Sequence, residues 1–463
     1  MAEHQELGSN PYRELAWRVF ITLLLGVVVY RLGVAVPIPG VNQDGIATLL
    51  APDAEGMDPL QMALTWANML NGGAIGQASV FGVGIMPYIS ASIIMQLLAF
   101  SIPALKALQK EGETGRRKIN QFTRYATLGI AVVQACIASI ILVNMTTPTP
   151  AGGGAPVPLV DVSMSKVLFV VQSTFVITTG SMLLLWISEQ ITKFGIGNGV
   201  SIIIMVGILS AIPGAFRDLT PSPDLPSYLT LILVAMAITA AIVLVVVAIR
   251  KVHLEQQRRV QGNKIYGGGQ TTLPMKLNQA NVIPVIFAAP VLAVFSFLLA
   301  GIDRLIEGAG SSAGVADLFQ YGEPLHRYLM ASLIIGFTFF YISITFDLNE
   351  MSNNFKQSGF FIRGIKPGKN TVDHLAFILK RITLVGAVSL ALISLMPETI
   401  SHLTSHNMNS RGAAVMVGGT GLMIVVGVTI DVMQKIATFF LAQQYQGLSA
   451  NAAKRPAGNG KRF

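Results

Sequence analysis

Hydrophobic residues along this chain come in long blocks, separated by shorter polar stretches in which most of the charges collect. A helix that crosses a bilayer needs about 20 mostly apolar residues, because hydrocarbon offers no partner to an unpaired backbone group. Ten blocks qualify: 17–36, 85–102, 122–143, 166–187, 197–213, 228–249, 281–301, 327–347, 378–396 and 413–433. The expected fold class is therefore all-α, a polytopic membrane protein with ten transmembrane helices. An eleventh stretch, 62–83, is weakly apolar and rich in Gly and Ser, too polar and broken to span by itself.

Composition supports this reading. The 463 residues are 52% hydrophobic and only 12% charged, about half the charged fraction of an ordinary soluble domain. The formal net charge of +9 could serve a nucleic acid, but its distribution argues for membrane orientation and anionic head groups. Connections 37–84 and 144–165 hold no Lys or Arg before Lys166. By contrast, 103–124 carries Lys106, Lys110, Arg116, Arg117, Lys118 and Arg124, and 250–276 and 356–381 are equally basic. The positive-inside rule then places both termini and the basic loops in the cytoplasm. Lys166, Arg217, Arg304, Arg327 and Arg411 fall on the other side, mostly at span edges. The first block lacks a small-residue cleavage site and reads as an uncleaved span. The stretch 146–158 is an uncharged Pro/Gly-rich extracytoplasmic loop, and the polar end from Ser449 a mobile tail.

Several chemistries find no support. The sequence has no GxxxxGK[ST] loop, no HExxH and no GxSxG elbow. His402 and His406 share a helical spacing but have no third ligand, a weak metal signal, and the lone Cys136 lies in an apolar block as an inert packing residue. No catalytic residue, cofactor or metal is expected. An ion-coupled transporter would place carboxylates near mid-membrane, whereas Glu189, Asp347 and Asp431 sit at span ends. Arg31 is the one deeper charge, and it either snorkels, pairs with a buried carbonyl, or serves transport.

The second block opens Gly84-Ile85-Met86-Pro87-Tyr88-Ile89-Ser90, with Ile85 and Ile89 on one helical face and Pro87 in the first turn, where proline costs no hydrogen bond. The preceding 62–83 is thus a separate element, and irregular backbone at that depth must be buried in protein or line a cavity. In Asn281-Val282-Ile283-Pro284-Val285-Ile286, the polar Asn and a proline read as interior to the helix mark one that packs loosely or moves. Isoleucines facing a constriction and isoleucines facing lipid cannot be told apart by composition.

The stretches VYRLGVAVPIPGV (29–41), FGVGIMPYISASIIMQLL (81–98), WISEQITKFGIGNGVSIII (186–204), TTLPMKLNQANVIPVIF (271–287), FKQSGFFIRGIKPG (355–368) and GGTGLMIVV (418–426) closely resemble the bacterial SecY family, the channel subunit of the general secretory translocon. The similarity runs in order from about residue 10 to residue 447. It implies two inverted five-helix halves, 1–214 (helices 1–5) and 215–447 (helices 6–10), around a central hourglass pore, with 448–463 as the tail. It implies a pore ring at Ile85, Ile89, Val200, Ile204, Ile286 and Ile424, where Val200 departs by one methylene. A plug would occupy about 68–83, with its core Asn71, Gly72, Gly73, Ala74, Ile75, Gly76, Gln77, Ala78 and Ser79. The spans beginning near 85 and 281 would form a lateral gate, with Ser90, Ser92, Gln96, Asn281 and Pro284 near its seam; the three polar residues on the earlier span either soften the seam or satisfy neighbouring helices.

A passage for every kind of side chain cannot rely on specific hydrogen bonds, whereas a ring of stiff β-branched residues sheds water when closed. The resemblance further implies cytoplasmic docking loops at 250–280 and 348–377, where Arg258, Arg259, Lys264, Lys356, Arg363, Lys366 and Lys369 would meet the ribosome and the motor ATPase SecA, besides anchoring topology. Implied partners also include the small SecE and SecG type subunits, signal-bearing polypeptides and anionic phospholipids, in a bacterial inner membrane. Two departures stand out: Lys366 replaces the family's arginine, losing its planar fork, and Asp347-Leu348 replaces an Asn-Pro. A secondary transporter is the rival reading.

Overall fold

In the computed structural model the described residues are 11–43, 45–46, 68, 71–144, 159–160, 165–218, 225–256, 259–261, 264–266, 269–288, 291–292, 324–404 and 419–453. Within them the chain is dominated by helices. The first, α1, joins Pro11–Leu23, a π-helical stretch Leu24–Val29 and Tyr30–Val34. Then follow α2 Met86–Ser101, α3 Pro103–Lys110, α4 Glu113–Asn144, α5 Lys166–Phe194, α6 Gly199–Asp218 and α7 Leu225–Val247. A short helical piece covers 283–288, before α8 Pro324–Thr345, α9 Leu348–Ser358, α10 Lys369–Thr404 and α11 Gly419–Ala453.

Six of these helical stretches are long and apolar enough to cross a membrane, and α2 with α3 makes a seventh if a pair bent by 104° counts as one span. The bend falls at Ile102, whose extended backbone (φ −99°, ψ 116°) is the conformation that the following Pro103 demands. Of the other expected spans, 197–213 and 228–249 correspond to the shorter apolar helices Gly199–Ser210 and Ile232–Val247, and 281–301 lies partly outside the described residues. Helices α4 and α10 begin nine residues before their apolar blocks, and α11 runs on through Ala453.

Packing in lipid needs close backbones rather than large side chains. Helix α4 buries Thr123, Thr127, Ala131, Ala135 and Ser139, one per turn, where it runs beside α2 and α5. The hydroxyls of Thr127 and Ser139 donate back to the carbonyls of Thr123 and Ala135, so the stripe stays close-packed and polar-satisfied. Across the same pair, Arg124 grips Glu189 bidentately, 2.7 Å on each arm.

The two connections without Lys or Arg meet each other: Val41 bridges Val160, and the Asn42 N–H donates to the Leu159 carbonyl at 2.8 Å. The basic connections meet as well, through a feature that an all-helical reading does not contain. Strands β1 Ile249–Gln256, β4 Gln270–Lys276 and β5 Phe360–Ile362 form an antiparallel sheet in the order β4-β1-β5, and β2 Arg259–Gln261 pairs with β3 Lys264–Tyr266. Val252 and Leu254 of β1 are buried with Leu375, Ile378 and Ile382 of α10 in a second hydrophobic core. Pro274, which cannot donate to a ladder, sits in β4 at the sheet edge.

Gly180 of α5 lies where the Val80 carbonyl approaches, and a Cβ there would collide with it. Gly180→Val should therefore cost about 1–3 kcal/mol through forced displacement. Arg124→Ala should cost under about 1 kcal/mol, because that pair is a third to a half exposed. Melting in detergent ranks the two variants, and the reverse order would mean that the Arg124–Glu189 pair matters more to α5 than its close contact with Val80.

Candidate functional site

The segment between α1 and α2 is neither helix nor strand over 71–85; it is a chain of turns, closed on itself by Gly73 N–H to the Asn68 carbonyl, Gly76 N–H to Asn68 Oδ1, Ala78 N–H to the Ile75 carbonyl and Ser79 N–H to the Ala74 carbonyl. Glycines at 72, 73 and 84 have positive φ, and Ala78 joins them at 48°. Ala74 and Ser79 are fully buried, Asn71 and Ala78 nearly so, while Gln77 is exposed. Two backbone bonds tie it to the chain after α1, from Ile38 N–H to the Ala78 carbonyl (2.7 Å) and from Val80 N–H to the Val36 carbonyl (3.0 Å).

Side chains of α1 complete the seat. Tyr30 Oη donates to the Asn71 carbonyl at 2.8 Å, Arg31 Nη1 donates to the Gly72 carbonyl at 3.1 Å, and Ser79 Oγ donates to the Gly33 carbonyl at 3.0 Å. The Tyr30 ring stacks on Phe81, nearly parallel at 6.1 Å, and Phe81 lies over Gly33 so closely that no Cβ would fit. Of the alternatives open for Arg31, pairing with a carbonyl is what the structure shows. The isolated arginine was the sequence signal; its partner, about forty residues on, was not readable.

All six aliphatic positions singled out in the sequence fall within one hydrophobic core. Ile85, Ile204 and Ile424 are buried there, and Ile89, Val200 and Ile286 are partly buried against them. They come from α2 and the residue before it, α6, the 283–288 piece and α11, and the same core contains Ala74 and Phe81. Gly72 faces α6, where an added Cβ would stand 2.8 Å from Ser210 Oγ and 3.0 Å from the Gly207 Cα.

The lateral positions divide. Ser92 accepts from Gln96 Nε2 at 3.3 Å, so these two satisfy one another along α2, and Ser90 is half-buried one residue beyond Ile89. Pro284 is not interior to its helix: the helix starts at 283, which puts the proline in the first turn, and the irregular backbone lies just before it at Asn281, whose φ is +52°. Val282 and Val285 of this stretch share the core that holds Ile85 and Ile89.

Among the basic positions, Lys356, Arg363, Lys366 and Lys369 are exposed, and Arg363 lies 3.9 Å from Glu255 across the β1–β5 pairing. Arg259 and Lys264 stand on β2 and β3, and Arg258 lies outside the described residues. Asp347 settles the geometry at the replaced Asn-Pro: its Oδ1 accepts from the N–H groups of Asn349 and Glu350, capping α9. The other span-end carboxylates are likewise paired, Glu189 with Arg124 and Asp431 with Lys435. His402 lies on α10, and His406 falls outside the described residues.

A helical multi-pass protein with an irregular segment seated beneath an aliphatic core has the architecture of a protein-conducting channel. Its fold is similar to that of a solved structure described as a protein conducting channel, with a TM-score of 0.61 at 17% identity over 92% of this chain and 93% of that one. It is also similar to Sec61 in a canine ribosome-channel complex, at a TM-score of 0.57 over the same shares. Curated relatives named protein translocase subunit SecY are 35% identical in Rickettsia conorii, over 96% of this chain and 98% of theirs, and 36% identical in Escherichia coli, over 93% of both. A sequence model of SecY matches residues 79–433, and the chain belongs to the SecY family.

The left-handed Asn281 offers a direct test of the break before the 283–288 helix. Asn281→Gly should be tolerated, whereas Asn281→Val should lose about 1–2 kcal/mol, since a β-branched residue is strained at positive φ. Equal melting temperatures for both variants would show that the left-handed turn is not needed.

Proposed function

We propose that this chain is the protein-conducting subunit of a general secretory translocon, passing unfolded polypeptides across a bacterial inner membrane and releasing apolar segments sideways into lipid. The observation that carries the reading is the convergence of six aliphatic residues from four separate stretches of chain into one apolar core, with Ala74 of the irregular segment in the same core. In this reading Ile85, Ile89, Val200, Ile204, Ile286 and Ile424 close around the transit path, and segment 71–79 plugs it. The path parts between α2 and the 283–288 helix, where Ser90, Ser92, Gln96, Asn281 and Pro284 lie.

In this reading the ten apolar blocks are ten spans, the charge alternation puts both termini in the cytoplasm, and the resemblance to the family divides the spans into two halves, 1–214 and 215–447. No group on the chain is assigned a catalytic role; energy comes from partners. The sheet that joins both basic loops gives them one rigid platform, suited to the ribosome or SecA, and membership of the family supports SecE and SecG type subunits alongside. The ribosome-channel complex among the similar folds supports the ribosome as one such partner. Closure by apolar side chains works through dewetting, so polarity within the ring is what should break it.

Ile89→Ser and Ile286→Ser should each make resting proteoliposomes leak ions, while Leu392→Ser, on an exposed face of α10, should not. Unchanged conductance in both ring variants would remove the constriction from these residues. Depletion of the protein should leave secreted precursors unprocessed, and normal processing with accumulation of a small solute would favour a transporter.

A further inference from the structure

The segment proposed as the plug is held in two different ways along its length. On its C-terminal side the attachment is backbone to backbone, through the bonds between 78–80 and 36–38. On its N-terminal side it is side chain to backbone, through Tyr30 and Arg31 on the consecutive carbonyls of Asn71 and Gly72. We infer that the first arrangement is a hinge and the second a catch: Tyr30 and Arg31 are positioning residues that set how readily segment 71–77 swings from its seat. The inference rests on the plug reading above.

The chemistry suits a catch. A charged or phenolic donor on a carbonyl is a directional bond that one side chain can give up, whereas a strand-like bridge must be broken at both partners together. When the segment leaves, the Asn71 carbonyl keeps an internal donor, the Ala74 N–H at 3.2 Å, so release does not strand it. Arg31 is exposed on its other side and can turn outward. Ser210 adds little: its single proton goes to the Gly207 carbonyl at 2.7 Å, against 3.3 Å to Gly72.

The seat itself is cut for this contact. Gly72 has φ +64°, and a Cβ there would stand 2.9 Å from Tyr30 Oη. Asn71 braces the segment across its neck, its Nδ2 donating to the Gly82 carbonyl at 3.0 Å, and Gly84 has no room for a Cβ against that amide. Because Gly82 lies beyond the bridge at 78–80, this bond opens together with the catch when 71–77 swings. Ala78 lies in that bridge with positive φ, while Gly73 has open space around its Cα.

The test uses the full chain assembled with its partner subunits in proteoliposomes. A nitroxide label is placed at exposed Gln77 (Gln77→Cys, with Cys136→Ser to leave one thiol), and the mobile fraction of its spectrum is read beside ion conductance. Tyr30→Phe keeps the ring stack and removes only the donor; it should raise the ratio of mobile to seated label about threefold to tenfold, the worth of one hydrogen bond. Arg31→Gln should do likewise, Arg31→Lys should restore much of the loss, and Gly72→Ala should mimic it by filling the seat. The Tyr30→Phe, Arg31→Gln double variant should exceed either alone. An unchanged label in a double variant that melts normally would overturn the catch. A mobilised label without added conductance would leave the catch standing and remove the plug reading instead.

Discussion

Segment 71–85 has no regular structure yet is largely buried in protein, where an unpaired peptide group is costly, and that requirement shapes its whole neighbourhood. The partners come from turns within the segment, a backbone bridge to 36–38, the donors of Tyr30 and Arg31, and Ser79 Oγ, which accepts from the Phe81 N–H. The glycines follow from the same requirement. Gly33 admits the Phe81 ring, Gly180 admits the Val80 carbonyl, and Gly72 admits the approach of α6. Helix α1 is therefore more than a span, because its last turns are the surface on which the segment is folded.

Around this seat the core is aliphatic, and its composition suits a passage better than a binding site. Ile85, Ile204 and Ile424 lie in this core, which dispersion and exclusion of water hold without direction, and under the proposed reading such packing can open and re-form around different side chains. A polar lining would bind some segments and stall them. Segment 71–82 is held by directional bonds while the packing around it is non-directional, and under the proposed plug reading the first would return to one position and the second would yield.

At the opposite end the basic loops are joined by the β4-β1-β5 sheet, whose inner face packs on α10. Lysines and arginines that would be independent on mobile loops are thereby carried on one body, with Asp347 capping α9 to fix where the second loop begins. Loops already ordered in this way lose less conformational entropy on meeting a macromolecular partner than two free loops would.

The sequence by itself determined the helical membrane class and the separation of basic from uncharged connections, because hydrocarbon length and charge asymmetry are local properties of the chain. Hydropathy also marked 62–83 as a broken stretch, motif resemblance singled out the six aliphatic positions, and Arg31 stood out as a charge needing a partner. Tertiary structure alone decided what that partner is, since the Gly72 carbonyl lies 41 residues away and a carbonyl leaves no mark in the sequence. It decided the sheet too, whose alternation of Lys251 and His253 with Val252 and Leu254 is only a few residues long and is completed by β5, about a hundred positions later. It moved Pro284 from the helix interior, where the sequence reads it, to the first turn, because only the fold shows where that helix starts. Long-range pairing of backbone groups is invisible to hydropathy, and here it is what builds the seat.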